Sequence, residues 1–225
     1  MWKKHSKKQN MTHSEENYLK IIYHLTTISD AEVSTNAIAE KMETKASSVT
    51  DMLKKLAEKD LVNYVKYQGV SLTEKGKLSA KMIVRKHRLW ECFLVEKLDF
   101  SWDEVHDVAE QLEHIKSEKL INKLDEFLNF PTEDPHGDPI PNAKGQMVNI
   151  KKQLLSEFEK NQIGICVGVK DTSSDFLKYL DKQEIALGSE IEIMEKESFD
   201  SSFRIRVGTK EMTISNKIAS NLYIQ

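Results

Sequence analysis

The chain has 225 residues and a formal net charge of −3, with 39% hydrophobic and 31% charged residues. This length accommodates two or three small domains, and the composition is typical of a globular protein. No apolar run approaches the roughly 18 residues that span a bilayer, and the basic residues 1–10 lack the apolar segment of a signal peptide. Two unpatterned cysteines, Cys92 and Cys166, predict a reducing compartment. We therefore expect a cytoplasmic protein.

The charge is distributed unevenly along the chain. The first 80 residues hold 13 lysines and 10 acidic residues, whereas the remainder holds 20 basic and 26 acidic residues. A basic first third on an acidic body favours a nucleic-acid-binding domain joined to something else.

The first third has the pattern of a winged helix-turn-helix. Apolar residues recur at helical spacing over residues 14–28, where Ser14 is a natural N-cap, and over 34–42 and 45–62. Alternating residues around Gln68-Gly69 then predict a two-stranded hairpin. In this order the second of the paired helices enters the major groove and the hairpin is the wing. The alternative is a set of ordinary amphipathic helices and a surface hairpin.

The predicted recognition helix presents short hydroxyls, which approach base edges closely, and lysines, which contact phosphates. Asp51 lies on the same face, and the wing tip includes Tyr67. The predicted DNA-binding residues are Lys45, Ser47, Ser48, Thr50, Lys54, Lys55, Lys66 and Gln68.

Three further helices are predicted at residues 77–98, 101–115 and 117–128. Ser101 and Ser117 lie where N-caps belong, and Glu104 completes a capping box with Ser101. These helices carry more apolar surface than so few helices can bury, which predicts a helical dimer interface. The residues concerned are Ile83, Leu89, Trp90, Phe93 and Leu94.

All four prolines lie between Phe130 and Gly145, so this segment is predicted to end the helical domain. Residues 146–160 favour neither helix nor strand. Strand patterns dominate from Ile163 onward, in IGICVGV, SEIEIMEK, FRIRVG and EMTIS, with one helix over 175–182. Several short strands in about 65 residues indicate a small barrel.

Side chains of metal-ligand type recur at helical spacing in the middle of the chain. His87 and Glu91 are four residues apart and share a face. On the next predicted helix, His106, Glu110 and His114 form a four-residue stripe, with Glu113 beside it. Neighbouring carboxylates on a packed helix face cost stability unless a cation lies there. Imidazole with carboxylate suits Mn(II), Fe(II) or Zn(II), and the absence of thiolate argues against a purely structural zinc site. For His87 and Glu91 alone, the alternative is a surface pair.

These segments resemble the diphtheria-toxin-repressor family of iron- and manganese-dependent regulators, and more closely its three-domain manganese-responsive branch. The resemblance covers nearly the whole chain and is carried by EENYLKIIYHL, ASSVTDMLKKLAEKDLV, LTEKG, RKHRLWECFLVEKL, VHDVAEQLEHIKSEKLINKLDEFL and FPTEDPHGDPIP. The succession of RKHRL, VH-x3-E-x2-EH and PHG-x2-IP is the specific part.

The resemblance implies a mainly α fold with a small β domain. A winged helix-turn-helix would occupy residues 1–76 and a helical dimerisation and metal-binding domain residues 77–141. A linker at 142–150 would precede an SH3-like barrel of the ferrous-iron-transport-A type at 151–225.

The family also implies a primary metal site formed by Glu110, Glu113 and His114, joined by Asn17 from the first helix. Iron-responsive members place a cysteine where this chain has Glu110, and the harder carboxylate favours Mn(II). Family members use Met or Asp where this chain has Asn17, whose amide oxygen can ligate a hard cation but adds no charge.

An ancillary site would take its ligands from both helices, namely His87, Glu91 and His106. The family adds an acidic ligand from the C-terminal domain, which Asp171 matches. In the manganese-responsive branch a cysteine and a histidine before the linker also join this site. His136 matches the histidine, and Asp134 replaces the cysteine.

The implied function is a repressor that is active when metal is plentiful. Up to two Mn(II) or Fe(II) ions per subunit, with Zn(II) as a substitute in vitro, would order a homodimer. The dimer would bind an inverted-repeat operator of double-stranded DNA, with metal-uptake genes as targets and no membrane partner. One alternative is a carboxylate metalloenzyme, but HExxH and paired Glu-x-x-His motifs are absent. The other is a regulator that senses an organic ligand, which would need an apolar pocket.

Overall fold

The computed structural model describes residues 11–28, 32–66, 68–148 and 151–225. They form two compact units. The first unit contains the described residues up to Lys86 together with 113–116 and 143–145. The second contains residues 87–112, 117–142 and 146–225. Tyr67 of the predicted wing tip and the end of the predicted linker lie outside the described residues.

The first unit contains the predicted order of three helices and a hairpin, followed by the beginning of a long fourth helix. The elements are α1 (His13–Ile28), α2 (Thr35–Lys41), α3 (Ala46–Glu58), β1 (Val62–Val65), β2 (Gly69–Leu72) and α4 (Glu74–Leu98). The hairpin is antiparallel with Val62 opposite Leu72, and Val33 forms an isolated antiparallel bridge to Val70. The predicted helix-turn-helix and wing are therefore confirmed as structure.

The start of α1 differs from the prediction. The Thr12 hydroxyl accepts a hydrogen bond from the Glu15 N–H (3.3 Å), and the Glu15 carboxylate accepts one from the Thr12 N–H (2.8 Å). This reciprocal capping box makes Thr12 the cap, so Ser14 lies inside the helix. At the start of α2 the Ser34 hydroxyl accepts a hydrogen bond from the Ala37 N–H and caps the helix.

The core of the first unit is formed by the apolar faces of its helices and by the wing. Its fully buried side chains include Leu19, Ile22, Ile38, Val49, Leu53, Leu56 and Val70. These residues follow helical spacing within each helix, so their burial fixes which face of α3 points outward.

The helical part of the second unit contains the rest of α4, then α5 (Val105–Leu112) and α6 (Glu118–Phe127). The prediction of one helix from Ser101 to Ile115 is wrong at both ends. The Ser101 N–H does donate to the Glu104 carboxylate (3.1 Å), but α-helical geometry begins only at Val105. The Ser117 hydroxyl caps α6, as predicted.

The predicted exposed apolar set is also corrected. Ile83, Leu89, Trp90 and Leu94 are buried within the single chain, and Phe93 is half-buried. The exposed apolar side chains of this region are instead Leu98, Leu120, Phe127 and Phe130. Helical periodicity identifies the apolar positions but does not show which of them neighbouring segments cover.

The proline-rich segment forms a compact turn. One carboxylate oxygen of Asp134 accepts from the N–H groups of both His136 (2.9 Å) and Asp138 (3.0 Å). Gly137 has a φ of +80°, which closes the turn in a conformation that side-chain-bearing residues rarely adopt. The absence of helix here agrees with the prediction.

The C-terminal part is a six-stranded antiparallel sheet in the order β3-β8-β4-β5-β6-β7. Its strands are β3 (Gln153–Leu154), β4 (Ile163–Val169), β5 (Glu190–Lys196), β6 (Phe203–Val207), β7 (Lys210–Ile214) and β8 (Leu222–Ile224). Two helices, α7 (Ser174–Gln183) and α8 (Asn216–Ala219), complete it. Strands β4 to β7 and helix α7 were predicted, whereas β3, α8 and β8 were not.

No helix within the described part of the chain is long and apolar enough to cross a membrane.

Candidate metal centres and nucleic-acid surface

Two turns of helix bring ligand-type side chains together in the second unit. His87 and Glu91 lie four residues apart on α4, and the His87 Nε2 is 2.9 Å from the Glu91 Oε1. His106 on α5 completes a triangle, since its Nδ1 lies 3.1 Å from the His87 Nε2 and 3.3 Å from the Glu91 Oε1. Two imidazole nitrogens that face each other beside one carboxylate need a shared proton or a cation between them.

The proline-rich turn adds two more ligand-type residues to the same carboxylate. Glu91, Asp134 and His136 are all buried and form a second group, within which the ligand atoms lie within 4.8 Å of one another. Because Glu91 belongs to both groups, the five residues form one continuous set. We call it the α4 cluster: His87, Glu91, His106, Asp134 and His136.

The carboxylates of the α4 cluster are strongly perturbed. Burial raises the pKa of Glu91, but hydrogen bonds from His106 and His87 outweigh burial and hold the pKa well below its usual range. Burial, together with repulsion from Glu91, raises the pKa of Asp134 to about 6, although Arg88 acts in the opposite direction. Two carboxylates that share a buried space in this way are suited to a cation.

Arg88 anchors the turn from within the same helix. Its guanidinium lies 3.2 Å from Asp134 and 3.0 Å from Asp138, and it also donates to the backbone carbonyl of Pro139. A planar guanidinium presents donors in a fixed fork, so these contacts set the position of the turn as well as its charge.

The ring of His136 is oriented by its other nitrogen. The Nε2 lies 2.8 Å from the backbone carbonyl of Trp102, which can only accept, so Nε2 carries the proton. The Nδ1 faces Glu91, whose Oε1 is 3.8 Å away. A histidine whose second nitrogen is fixed in this way is the usual arrangement of a metal ligand.

The neighbouring thiol does not take part. Cys92 is buried, and burial together with the charge of Asp134 raises the pKa of its thiol, so it is protonated at neutral pH. The donors of the α4 cluster are therefore nitrogen and oxygen atoms alone, which suits borderline and hard divalent cations.

The first unit holds a second set around Glu113 and His114, which follow α5 in a turn. The Lys20 ammonium lies 2.9 Å from one carboxylate oxygen of Glu113 and 2.8 Å from the other. The Nδ1 of His114 lies 2.6 Å from the Glu16 carboxylate, and its ring stacks on His13. Helix α1 therefore meets this turn through charged side chains one helical turn apart.

Asn17 supplies an unusual acceptor in the same unit. Its Oδ1 is buried and has no hydrogen-bond partner among the described residues. A buried, unsatisfied acceptor costs roughly 1–3 kcal/mol, which a bound cation would recover.

The remaining predicted ligands lie outside the two compact groups. Glu110 is exposed on the last turn of α5. Asp171 follows β4, is half-buried, and accepts a hydrogen bond from the Ser173 N–H (2.9 Å). Among the described residues, the groups of His, Cys, Asp and Glu whose ligand atoms lie close together include neither Glu110 nor Asp171.

Sequence analysis missed four partners of these sites: Glu16, Lys20, Arg88 and Asp138. Glu16 and Lys20 could have been found, because they lie four residues apart on α1, on either side of Asn17. Arg88 and Asp138 left no local signal, since the pair joins positions 50 residues apart.

The outer face of α3 has the predicted composition. Lys45, Ser47 and Ser48 are exposed at its N-terminal end, and Lys54 and Lys55 are exposed further along. The half-buried Thr50 donates its hydroxyl hydrogen to the Ala46 carbonyl (3.0 Å), and Lys54 pairs with the exposed Asp51 (3.2 Å). On the wing, Lys66 and Gln68 are exposed.

Three segments of the chain match known families. Residues 10–70 match the N-terminal DNA-binding domain of the iron-dependent repressors, and residues 73–142 match their metal-binding and dimerisation domain. Residues 153–225 match the FeoA domain. The matches follow one another along the chain with short gaps between them.

Individual proteins agree with these segments over most of the chain. The chain is 30% identical over 186 residues to the iron-dependent repressor IdeR of Mycobacterium leprae, which is 72% of this chain and 80% of that protein. A solved structure of a manganese-dependent transcriptional repressor in complex with manganese superposes with a TM-score of 0.84 at 33% identity. It covers 93% of this chain and 98% of its own. The manganese regulator SloR gives a TM-score of 0.75 at 36% identity, with 96% and 99% of the two chains covered.

Proposed function

The chain belongs to the diphtheria-toxin-repressor family of metal-dependent transcriptional repressors, and we propose that it binds Mn(II) or Fe(II) at two sites per chain. It is a DNA-binding regulator and not an enzyme. The α4 cluster carries this proposal, because four nitrogen- and oxygen-bearing side chains from two helices and a turn lie around the buried carboxylate of Glu91. Two free, buried thiols and a DNA target favour the cytoplasm.

The α4 cluster suits a divalent cation on three grounds. Its carboxylates are buried together, the rings of its three histidines lie beside Glu91, and Arg88 holds the turn in place. A bound cation supplies the positive charge that offsets Glu91 and Asp134. We further propose that Asp171 adds a carboxylate from the C-terminal sheet.

The second proposed site consists of Glu113 and His114 together with Asn17 from α1 and Glu110 from the last turn of α5. The buried Oδ1 of Asn17 supports this choice, since it has no hydrogen-bond partner among the described residues. Glu110 in place of a cysteine supports Mn(II), because a carboxylate is a harder ligand than a thiolate.

In the first unit this site includes Asn17 on α1, and α1 packs against α2 and β2 of the winged helix-turn-helix. Glu15 on α1 pairs with Lys59 at the end of α3 (2.7 Å), so displacement of α1 is transmitted to the predicted recognition helix. Ligation by Asn17 would fix α1 against residues 113–116. The metal would then bind more tightly to the conformer that binds DNA than to the other conformer. The difference between these two metal affinities sets how strongly metal shifts the population toward the DNA-binding conformer.

We propose that the exposed apolar side chains of the second unit form the interface of a homodimer. This apolar face consists of Leu98, Leu120, Phe127 and Phe130, of which the last two are 63% and 62% exposed. The matched family description names a dimerisation domain in this region. Phe127→Asp should give a monomer in analytical ultracentrifugation. Phe199→Asp is the matched control, because Phe199 is fully exposed in the turn between β5 and β6.

Operator binding tests the proposed function as a whole. The affinity of the full chain for an inverted-repeat DNA is measured under four conditions. These are chelator, Mn(II), Zn(II), and Fe(II) without oxygen. We expect binding only with metal, and loss of the metal response in Glu113→Ala and in Glu91→Gln. Metal-independent binding would favour a regulator of another kind. Unchanged metal dependence in either variant would remove that residue from the proposed sites.

A further inference from the structure

Lys20 and Glu113 form an ion pair that is nearly inaccessible to water. The Lys20 side chain is 9% exposed and that of Glu113 is 0% exposed, and both carboxylate oxygens lie within 2.9 Å of the ammonium. A surface pair of this kind contributes little to stability, but a buried pair interacts without solvent screening. Neither partner can lose the other without leaving a buried charge.

The same carboxylate is a ligand in the site proposed above, so this inference rests on the proposed function. Lys20 follows Asn17 by one helical turn on α1. Helix α1 therefore carries on one face both the Asn17 acceptor, which suits a metal ion, and the Lys20 ammonium, which repels one. A divalent cation on Glu113 must either displace this ammonium or accept its repulsion.

We propose that Lys20 determines the metal affinity of the Glu113 site by serving as its built-in cation. In the metal-free chain the ammonium supplies the positive charge that Glu113 requires. During metal binding it opposes the incoming ion, because two like charges a few ångströms apart repel strongly in a buried environment. The ammonium thereby raises the concentration of free metal at which the repressor responds.

The charge of Lys20 can be removed without removing its hydrogen bond. In Lys20→Gln the amide N–H still donates to Glu113 while the positive charge is lost. A second cation also lies near the carboxylate. Burial lowers the pKa of Lys86, and the charges of Glu16 and Glu113 act against that shift. The variant therefore retains a neighbouring counter-charge.

The structure offers a control in a second ion pair of α1, formed by Glu15 with Lys59. The Lys59 ammonium lies 2.7 Å and 2.8 Å from the two oxygens of Glu15, so Lys59→Gln removes an equivalent ion pair away from Glu113. Lys20→Arg keeps the charge and changes only its shape. All variants are made in a Glu91→Gln background, which removes the ligand shared by both halves of the α4 cluster.

Mn(II) itself is the probe, and its binding to the DNA-free protein is followed at fixed pH by the electron paramagnetic resonance signal of the free ion. We expect Lys20→Gln to bind Mn(II) at least about tenfold more tightly than its parent. Lys20→Arg and Lys59→Gln should stay within about twofold of the parent. In chelator, Lys20→Gln should unfold at lower urea, and Mn(II) should stabilise it more than it stabilises the parent.

Equal or weaker Mn(II) binding by Lys20→Gln would overturn the inference, as would a tenfold gain in Lys59→Gln. If Lys20→Gln is unfolded in chelator, its refolding on addition of Mn(II) supports the inference, and failure to refold at saturating Mn(II) overturns it. Glu113→Gln in the same background tests the proposed Glu113 site independently of Lys20. If it binds Mn(II) as its parent does, the proposed Glu113 site fails, whatever the result for Lys20.

Discussion

The turn that carries His136 approaches β4 so closely that it admits no side chain at Gly137. A Cβ built on Gly137 would lie 2.0 Å from the Val167 carbonyl oxygen and 2.6 Å from the Gly168 Cα, whereas Cβ contacts below 3.0 Å are essentially never seen. Both neighbours are backbone atoms and cannot rotate away. Gly137→Ala must therefore move the turn away from the strand by about 1 Å.

The cost of Gly137→Ala has three parts. A side chain at a φ of +80° costs about 1 kcal/mol, and forced overpacking costs about 1–3 kcal/mol. The displacement also weakens the hydrogen bond from the Val169 N–H to the His136 carbonyl (3.0 Å), which contributes about 1 kcal/mol. We expect a total loss of about 4 kcal/mol of unfolding free energy.

Gly188→Ala is the matched control, because Gly188 has a φ of +85° but no atom within 4 Å of its built Cβ. It should lose only the backbone part, about 1 kcal/mol. Urea unfolding in chelator measures both losses. Since the displaced turn carries His136, Gly137→Ala should also bind Mn(II) about tenfold more weakly, which Gly188→Ala should not.

Equal stability of the two alanine variants would refute the close approach of the turn to β4. A loss of stability in Gly137→Ala without any loss of Mn(II) affinity would instead show that His136 is not a ligand.

Three further predictions concern single charged side chains. Arg88→Met removes the cation beside the buried Asp134 and should lower the free energy of unfolding in urea by about 3 kcal/mol. Arg204 is half-exposed, so Arg204→Met should lower it by less than about 1 kcal/mol. Equal losses would show that burial of the Arg88–Asp134 pair does not matter. Lys54→Ala should reduce the slope of log K for DNA binding against log salt concentration by about one unit, whatever the DNA sequence. An unchanged slope would show that Lys54 does not contact a phosphate. Glu110→Cys should shift the operator response from Mn(II) toward Fe(II), because thiolate gains more with later metals. Operator binding is titrated anaerobically with Mn(II) and with Fe(II) for both proteins. If the ratio of the two responses is the same in both, position 110 does not determine metal selectivity.

Local patterns in the sequence were sufficient for most of the secondary structure. Helical spacing identified the winged helix-turn-helix, and alternation identified β4 to β7, because both periodicities arise from backbone geometry within a few residues. The pairing of His87 with Glu91 was predictable for the same reason, since it needs only one turn of helix. Short elements such as β3 and β8 were missed because they are too brief to show a period.

The tertiary structure decided how distant segments share charge and cover apolar surface. Asp134 meets Glu91 and Arg88 only because the turn packs against α4, and Lys20 meets Glu113 although 93 residues separate them. Trp90 and Leu94 are buried while Phe127 is exposed, which depends on the segments that pack over each helix. Helical spacing places side chains on a face, but long-range packing determines what that face meets, and no local pattern encodes it.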